Sequence, residues 1–360
     1  MRKILALFTA FLLAQGAVRA QGCVAIRSTG AVCTKPHAEA IKSWHLNSTY
    51  RYFKSFRHFV GSEEQKERME HHTEVINWNH TINLTLVRTF NNRWSAAIDV
   101  PVISNRRSSL YEHGGNSGGE KARHETKSFG IGDIRLVASR WMFDPMKSKC
   151  NIQLGIGLKL PTGDYQVQDF FIKNDSTKVL GPVDQSIQLG DGGTGFTFEA
   201  NLISQLSRNW SLYGNIYYLV NPREHNGVST SRGGTPSQTN ILYGSSTMSV
   251  PDQYMIRAGA NFSTKNFTAS LGVREECIPS RDLVGGNGGF RRPGYVKSIE
   301  PGVHYNFKKL SAFATVPVAF KRDRTQSNAD RLRTEATGSY VHGDAAFADY
   351  SVNFGLAFKL

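Results

Sequence analysis

Side chains that switch between apolar and polar with a period of two, again and again along 360 residues, leave few folds open to this chain. That period puts one set of side chains on one face of a sheet and the other set on the opposite face. Residues 151–160 show it most clearly: Ile152, Leu154, Ile156, Leu158 and Leu160 share one face, and Asn151, Gln153, Gly155, Gly157 and Lys159 share the other. Residues 196–206 repeat the pattern, broken only at Ile203 and Ser204. The last segment does so again, with Tyr350, Val352, Phe354, Leu356, Phe358 and Leu360 opposing Ser351, Asn353, Gly355, Ala357 and Lys359. Read along the whole chain, the alternation predicts twelve strands, near 46–60, 73–88, 93–104, 129–143, 149–160, 195–206, 210–221, 252–264, 267–278, 295–307, 310–321 and 346–360, and no internal helix.

The connections between these strands alternate strictly between short and long. Thr89–Asn92, Asp144–Ser148, Ser207–Asn209, Lys265–Asn266 and Lys308–Lys309 are short, whereas about 61–72, 105–128, 161–194, 222–251, 279–294 and 322–345 are long. Tight turns at one end and extended loops at the other are the pattern of an outer-membrane barrel, with periplasmic turns and extracellular loops. An even strand count brings both termini to the tight-turn side.

Strand length and the nature of the polar face place the sheet in lipid. A bilayer offers the backbone no water, so a spanning sheet must close and pair every strand. Soluble sandwiches turn their apolar face inward and use strands of about 5–6 residues. The strands here are about twice that length, and Asn, Gln, Thr, Ser, Gly and several charges recur on the polar face, which suits a wet lumen. Trp94, Trp141, Trp210, Tyr218, Tyr254 and Phe358 fall at strand ends, where interface girdles are expected. The mean hydropathy of −0.36, with no apolar run near the ~18 residues of a spanning helix outside the first 20 residues, argues against a helical transporter.

Met1–Ala20 read as an export signal: Arg2 and Lys3 lead, Ile4–Leu13 form the apolar core, and Val18-Arg19-Ala20 offers small residues to a signal peptidase. Cleavage there removes Arg2, Lys3 and Arg19 and lowers the formal charge from +14 by three. Export and the lack of any zinc-finger or recognition-helix pattern exclude nucleic acid as the partner of this basic chain. In an oxidising compartment Cys23 and Cys33 could close a disulfide loop, while Cys150 and Cys277 fall in distant strands. The tight turns and their flanks hold Arg93, Lys147, Lys149, Arg208, Lys265, Lys308 and Lys309 against Asp144 alone. This basic rim reads as a solvated surface near anionic headgroups, in preference to anion steering into a pore.

Motifs that suggest other chemistry have simpler readings. Gly190-Asp191-Gly192-Gly193-Thr194-Gly195 lacks the Gly-Lys-Ser/Thr and the helix of a phosphate loop, and a strand follows it. His71 and His72 beside Glu70 and Glu74 lack zinc-protease spacing and read as surface loop. No Gly-x-Ser-x-Gly elbow occurs, so no catalytic residue, metal or cofactor is assigned. The six Asn-x-Ser/Thr matches, Asn79-His80-Thr81 and Asn83-Leu84-Thr85 among them, place Asn and Thr on one face and read as lumen lining. Asp99, Asp133, Arg135, Lys159, Glu199, Arg257, Arg274, Glu276 and Glu300 share the polar face, and His304 is expected as a hydrogen-bonded wall residue. These charges either cross-link the interior or order permeating solutes.

Leu158-Lys159-Leu160-Pro161-Thr162-Gly163-Asp164, preceded by Gly130-Ile131-Gly132-Asp133-Ile134-Arg135 and followed by Leu189-Gly190 and Trp210-Ser211-Leu212-Tyr213-Gly214-Asn215, resembles the bacterial outer-membrane family named for the meta-pathway of phenol degradation. The resemblance implies an outer-membrane channel for small hydrophobic or aromatic compounds. The chain end resembles a barrel-assembly signal, with Leu360 where an aromatic is usual. The expected organisation is a signal peptide at 1–20, a periplasmic or plug segment at 21–45 and an antiparallel up-and-down barrel at 46–360. Asp133, Arg135, Lys159, Glu199, Arg257 and Arg274 are the expected lumen lining. The expected function is passive passage of small molecules by a non-enzyme in the outer membrane of a Gram-negative bacterium. Lipid, lipopolysaccharide and the assembly machinery are the expected partners, and a structural or surface-binding barrel with a sealed lumen is the alternative.

Overall fold

The computed structural model describes residues 42–360. Twelve antiparallel staves follow one another in chain order: β1 (Trp44–Val60), β2 (Ile76–Thr89), β3 (Trp94–Ser109), β4 in two pieces (His124–Ile131 and Arg135–Trp141), β5 (Cys150–Lys159) and β6 (Gly195–Gln205). They continue as β7 (Trp210–Val220), β8 (Gln253–Ser263), β9 (Phe267–Ile278), β10 (Gly294–Asn306), β11 in two pieces (Leu310–Thr315 and Val318–Arg324) and β12 (Ala345–Lys359). β12 pairs with β1 from His45↔Lys359 to Phe59↔Ala345, closing the sheet. Closure removes the unpaired edges that a spanning sheet could not tolerate.

The period-two expectation holds in three dimensions. Ile152, Leu154 and Ile156 of β5 and Phe196 and Phe198 of β6 are exposed on the outer surface, Ile156 at 64 %. Their polar neighbours Asn151, Lys159, Thr197 and Glu199 are buried toward the axis. The alternation also carries through β12, where Tyr350, Phe354 and Phe358 face out. Small residues make room inside: a Cβ at Gly259 or Gly272 would run into the Tyr213 hydroxyl, which packs across both.

Two staves expected as continuous are broken, each at a proline-related fault. Between Ile131↔Val102 and Arg135↔Asp99, three residues of β4 oppose two of β3, a bulge facing Pro101, which has no N–H to give. In β11, Pro317 interrupts the ladder between Thr315 and Val318. β4 also starts at His124, earlier than expected, and β3 runs on to Ser109, so this part of the wall stands taller than its neighbours.

The expectation of no internal helix is corrected by α1 (Glu67–Glu70), α2 (Gln238–Leu242) and α3 (Asn328–Thr337), all in long loops. α3 is capped by a reciprocal box in which the Ser327 side chain takes the Asp330 N–H and the Asp330 carboxylate takes the Ser327 N–H, and it ends at Gly338 with φ 69°. Among the described residues no helix is long and apolar enough to cross a membrane. The expected export signal and the Cys23–Cys33 bridge lie outside the described residues; Cys150 and Cys277 are free thiols.

Candidate solute pathway

The inward faces of the staves enclose a cavity of about 1090 Å³. Its floor is the tight-turn end, where Lys265, Lys308, Lys309 and Lys359 line it, and its ceiling is made by Gln185, Ser186, Met248, Ser249, Arg291 and Arg292 from the long loops. Between them stand the amide and hydroxyl rows the sequence predicted: Asn47, Thr49, Asn79, Thr81, Asn83 and Thr85 all face this space. Aromatic rings, Phe53, Tyr217 and Phe313 among them, interrupt the polar lining.

Five of the six expected lining residues, Asp133, Arg135, Lys159, Arg257 and Arg274, border the cavity. Glu199 is buried in the wall of β6 without reaching it, because Gly155 opposite leaves room for it to lie against the sheet. The charges occur as two buried groups. On one side Arg135 Nη2 donates to Asp99 Oδ2 at 2.6 Å, Asp99 also accepts from Thr85 Oγ1 at 2.7 Å, and Lys159 binds Asp191 and lies 3.6 Å from Asp133. On the other, Arg274 bridges Glu276 at 2.8 Å and Glu300 at 3.1 Å, while Arg257 reaches Glu300 at 3.4 Å and Arg51 reaches Glu276 at 2.9 Å. Arg51 is on β1 and Glu276 on β9, so this last pair crosses the lumen between staves that do not touch. Such pairs roughly break even against apolar packing, but removing one partner strands a buried charge. Cross-linking is what their geometry does. His304 is buried in the same wall.

Three of the four sequence pieces that carry the family resemblance meet at the β4 bulge, and the fourth, Trp210–Asn215, lies in β7. Thr162 Oγ1 donates to the Gly132 carbonyl at 3.0 Å and accepts from the Ile134 N–H at 2.9 Å, replacing the ladder bonds that the bulge costs. Asp133 accepts from the N–H groups of Gly163 at 3.0 Å and Asp191 at 3.3 Å. A Cβ at Gly163 would collide with the Leu189 carbonyl, and one at Gly190 with Asp133. Pro-Thr-Gly-Asp and Leu-Gly are thus the two sides of a clasp that turns loop 160–194 inward.

That loop then makes the ceiling. Asn105 Nδ2 and Ser128 Oγ both donate to the Ile187 carbonyl, and Val183 and Ile187 are fully buried. Asp184 takes a two-pronged bond from Arg292 at 2.9 and 2.6 Å and lies 3.4 Å from Arg107. Arg107 in turn holds Glu112, which also binds Arg232 at 2.9 Å. Burial opposes the ionisation of Asp184, yet Arg107 and Arg292 outweigh it and hold the carboxyl well below the usual range. Glu112 is likewise brought down to about 2, burial being overcome by Arg107 and Arg232. Gln185 Nε2 donates to the Ser249 carbonyl at 2.9 Å, joining loop 160–194 to loop 221–252. Arg291, locked two-pronged on Asp282 at 2.7 Å, completes the layer. None of these loop residues was singled out from the sequence, since the pairs they form lie up to 120 residues apart. Above them lies a second cavity of about 480 Å³, which shares Gln185, Met248, Arg291 and Arg292 with the first. His71 and His72 lie in the loop that follows α1, and among the described residues no group of metal-ligating side chains comes together.

A closed twelve-stave antiparallel sheet, apolar outside and polar around a hollow axis, is a transmembrane β-barrel of the outer-membrane type. No family model matches the chain, and none of the curated proteins compared with it matches. Among solved structures it is similar to an outer-membrane channel from Pseudomonas putida F1, with TM-score 0.59 and 10% identity over 90% of this chain and 97% of that one. It is also similar to the translocator domain of the autotransporter NalP from Neisseria meningitidis, at 0.47 and 11% over 90% of each. The toluene transporter TbuX of Ralstonia pickettii gives 0.40 and 10% over 89% of each. At these identities the likeness is one of fold.

Proposed function

We propose that the chain is an outer-membrane pore of the family named for the meta-pathway of phenol degradation, passing small molecules passively, hydrophobic or aromatic ones among them. The observation that carries this reading is the cavity itself, which runs from the lysines of the tight turns to the layer of Gln185, Met248, Arg291 and Arg292. Phe53, Tyr217 and Phe313 give a ring something to slide along, while the Asn and Thr rows keep water in the path. In this orientation the tight turns are periplasmic and the long loops extracellular. Tyr350, Phe354 and Phe358, exposed on β12, are what the assembly machinery would read, and the outer apolar belt would meet lipid and lipopolysaccharide.

The rival reading, a sealed barrel that acts through its loops, draws on the ionic stitching of the loop ceiling. Liposome swelling separates the two. A pore admits small sugars or aromatic acids into protein-loaded vesicles and swells them; a sealed barrel admits neither, and that result would end the proposal.

A further inference from the structure

The charges of the mid-barrel are occupied with one another. Arg135 is held by Asp99, Lys159 by Asp133 and Asp191, and Arg51, Arg257 and Arg274 share Glu276 and Glu300. A solute passing these groups meets compact ion pairs, whose field fades with distance faster than that of a single charge.

The tight-turn mouth differs from the middle. Lys265, Lys308, Lys309 and Lys359 border the cavity at its tight-turn end, and all four are exposed. Among the described residues no carboxylate lies within ion-pair distance of any of their ammonium groups. The sequence of the same turns adds Arg93, Lys147, Lys149 and Arg208 and the acid Asp144. At the loop end, six of the seven arginines lining the upper cavity are paired, Arg107 and Arg232 with Glu112, Arg292 with Asp184, Arg291 with Asp282, Arg324 with Asp330 and Arg68 with Asp344, so the uncompensated charge stands at the tight turns. Low-dielectric walls concentrate such a field along the axis, and rings of lysine and arginine are how pores favour anions.

We infer that this lumen selects small organic anions, carboxylates above all, and that the four lysines of the tight-turn mouth set the preference. The inference rests on the pore reading. It also assigns the lining its division of labour: lysines draw in the carboxylate, the inward rings Phe53 and Phe313 accept the carbon body, and the buried pairs keep the wall rigid.

The test is the reversal potential of the full purified chain in a planar bilayer under a potassium chloride gradient, repeated with acetate or benzoate replacing chloride. The expected result is a current carried mainly by the anion with each salt. In Lys265→Gln/Lys308→Gln/Lys309→Gln/Lys359→Gln, checked for folding by circular dichroism and heat-modifiable mobility, the anion-to-cation permeability ratio should fall several-fold toward unity. Lys308→Gln/Lys309→Gln should give an intermediate ratio, and serves as the variant if the fourfold change does not fold. A cation-preferring wild type, or a ratio unmoved by the lysine changes, overturns the inference and leaves the pore standing. No current at all removes the pore reading and the inference with it.

Discussion

The two ends of the barrel are built on opposite principles. At the tight-turn end the chain reverses through short backbone hairpins, such as Thr264 N–H to the Phe267 carbonyl at 2.8 Å and Phe307 N–H to the Leu310 carbonyl at 2.7 Å, and its lysines stand exposed. At the loop end the reversals are long, and buried ion pairs tie them to one another: Asp184 to Arg292 and Arg107, Glu112 to Arg232, Arg291 to Asp282. The first end is specified by local sequence and is cheap to alter. The second depends on partners brought together by the closed sheet, and each member holds several others.

The largest contrast should come from Asp184→Asn. It leaves Arg292 and Arg107 short of a buried carboxylate, a loss of about 3–5 kcal/mol by the behaviour of such pairs. Loop 160–194 should come away from the ceiling, seen as protease cleavage within 165–190 and as a rise in single-channel conductance. Unchanged cleavage and conductance would mean that the ionic tie does not seat the loop.

Acid should loosen the same end and spare the other. His113 Nδ1 accepts the Ile172 N–H at 3.0 Å, which requires the unprotonated ring, and burial pushes its pKa down to about 4 from 6.5. A group depressed in the fold gives stability that is present above its unfolded value and lost as pH falls through the folded one. The contact should therefore weaken from about pH 6.5 and be gone below about 4, with the carboxylate ties following as Glu112 approaches 2. The His113 ring is buried, so water screens little of this effect. The hydrogen-exchange protection factor of the Ile172 amide should fall over this range while that of Phe267 at the turn end holds.

Removing the α3 cap with Ser327→Ala should cost about 1 kcal/mol, read as faster exchange confined to 328–338. Smallest of all, Lys309→Gln should move the thermal transition by less than about 0.5 kcal/mol, since the exposed ammonium has no tie to lose.

This difference between the ends also explains what the sequence could disclose. The staves and tight turns were legible because period-two alternation recurs along the chain, and the polar face named Asp133, Arg135, Lys159, Arg257 and Arg274 as lining. The bulge in β4 was not, although Pro101 opposite Gly132-Asp133 was a visible cue for a missing ladder bond. The α3 helix carried its signal in Ser327-x-x-Asp330, an aspartate standing where the usual box has Glu or Gln, inside a loop too polar to show a helical stripe. The ceiling was out of reach: Glu112–Arg232 and Asp184–Arg292 depend on loop paths that no local pattern encodes. Arg51–Glu276, spanning 225 positions, depends on the closure of the ring itself.

The most direct test of the account is the accessibility of spin labels placed one at a time along β5 and β6 in a Cys150→Ser/Cys277→Ser background reconstituted in bilayers. Labels at Leu154, Ile156 and Phe198 should collide freely with oxygen dissolved in the lipid, and labels at Gln153 and Asn201 with a water-soluble relaxation agent, switching residue by residue. The same accessibility at 153, 154 and 156, or the reverse order, would contradict a lipid-facing apolar belt around a hydrated axis.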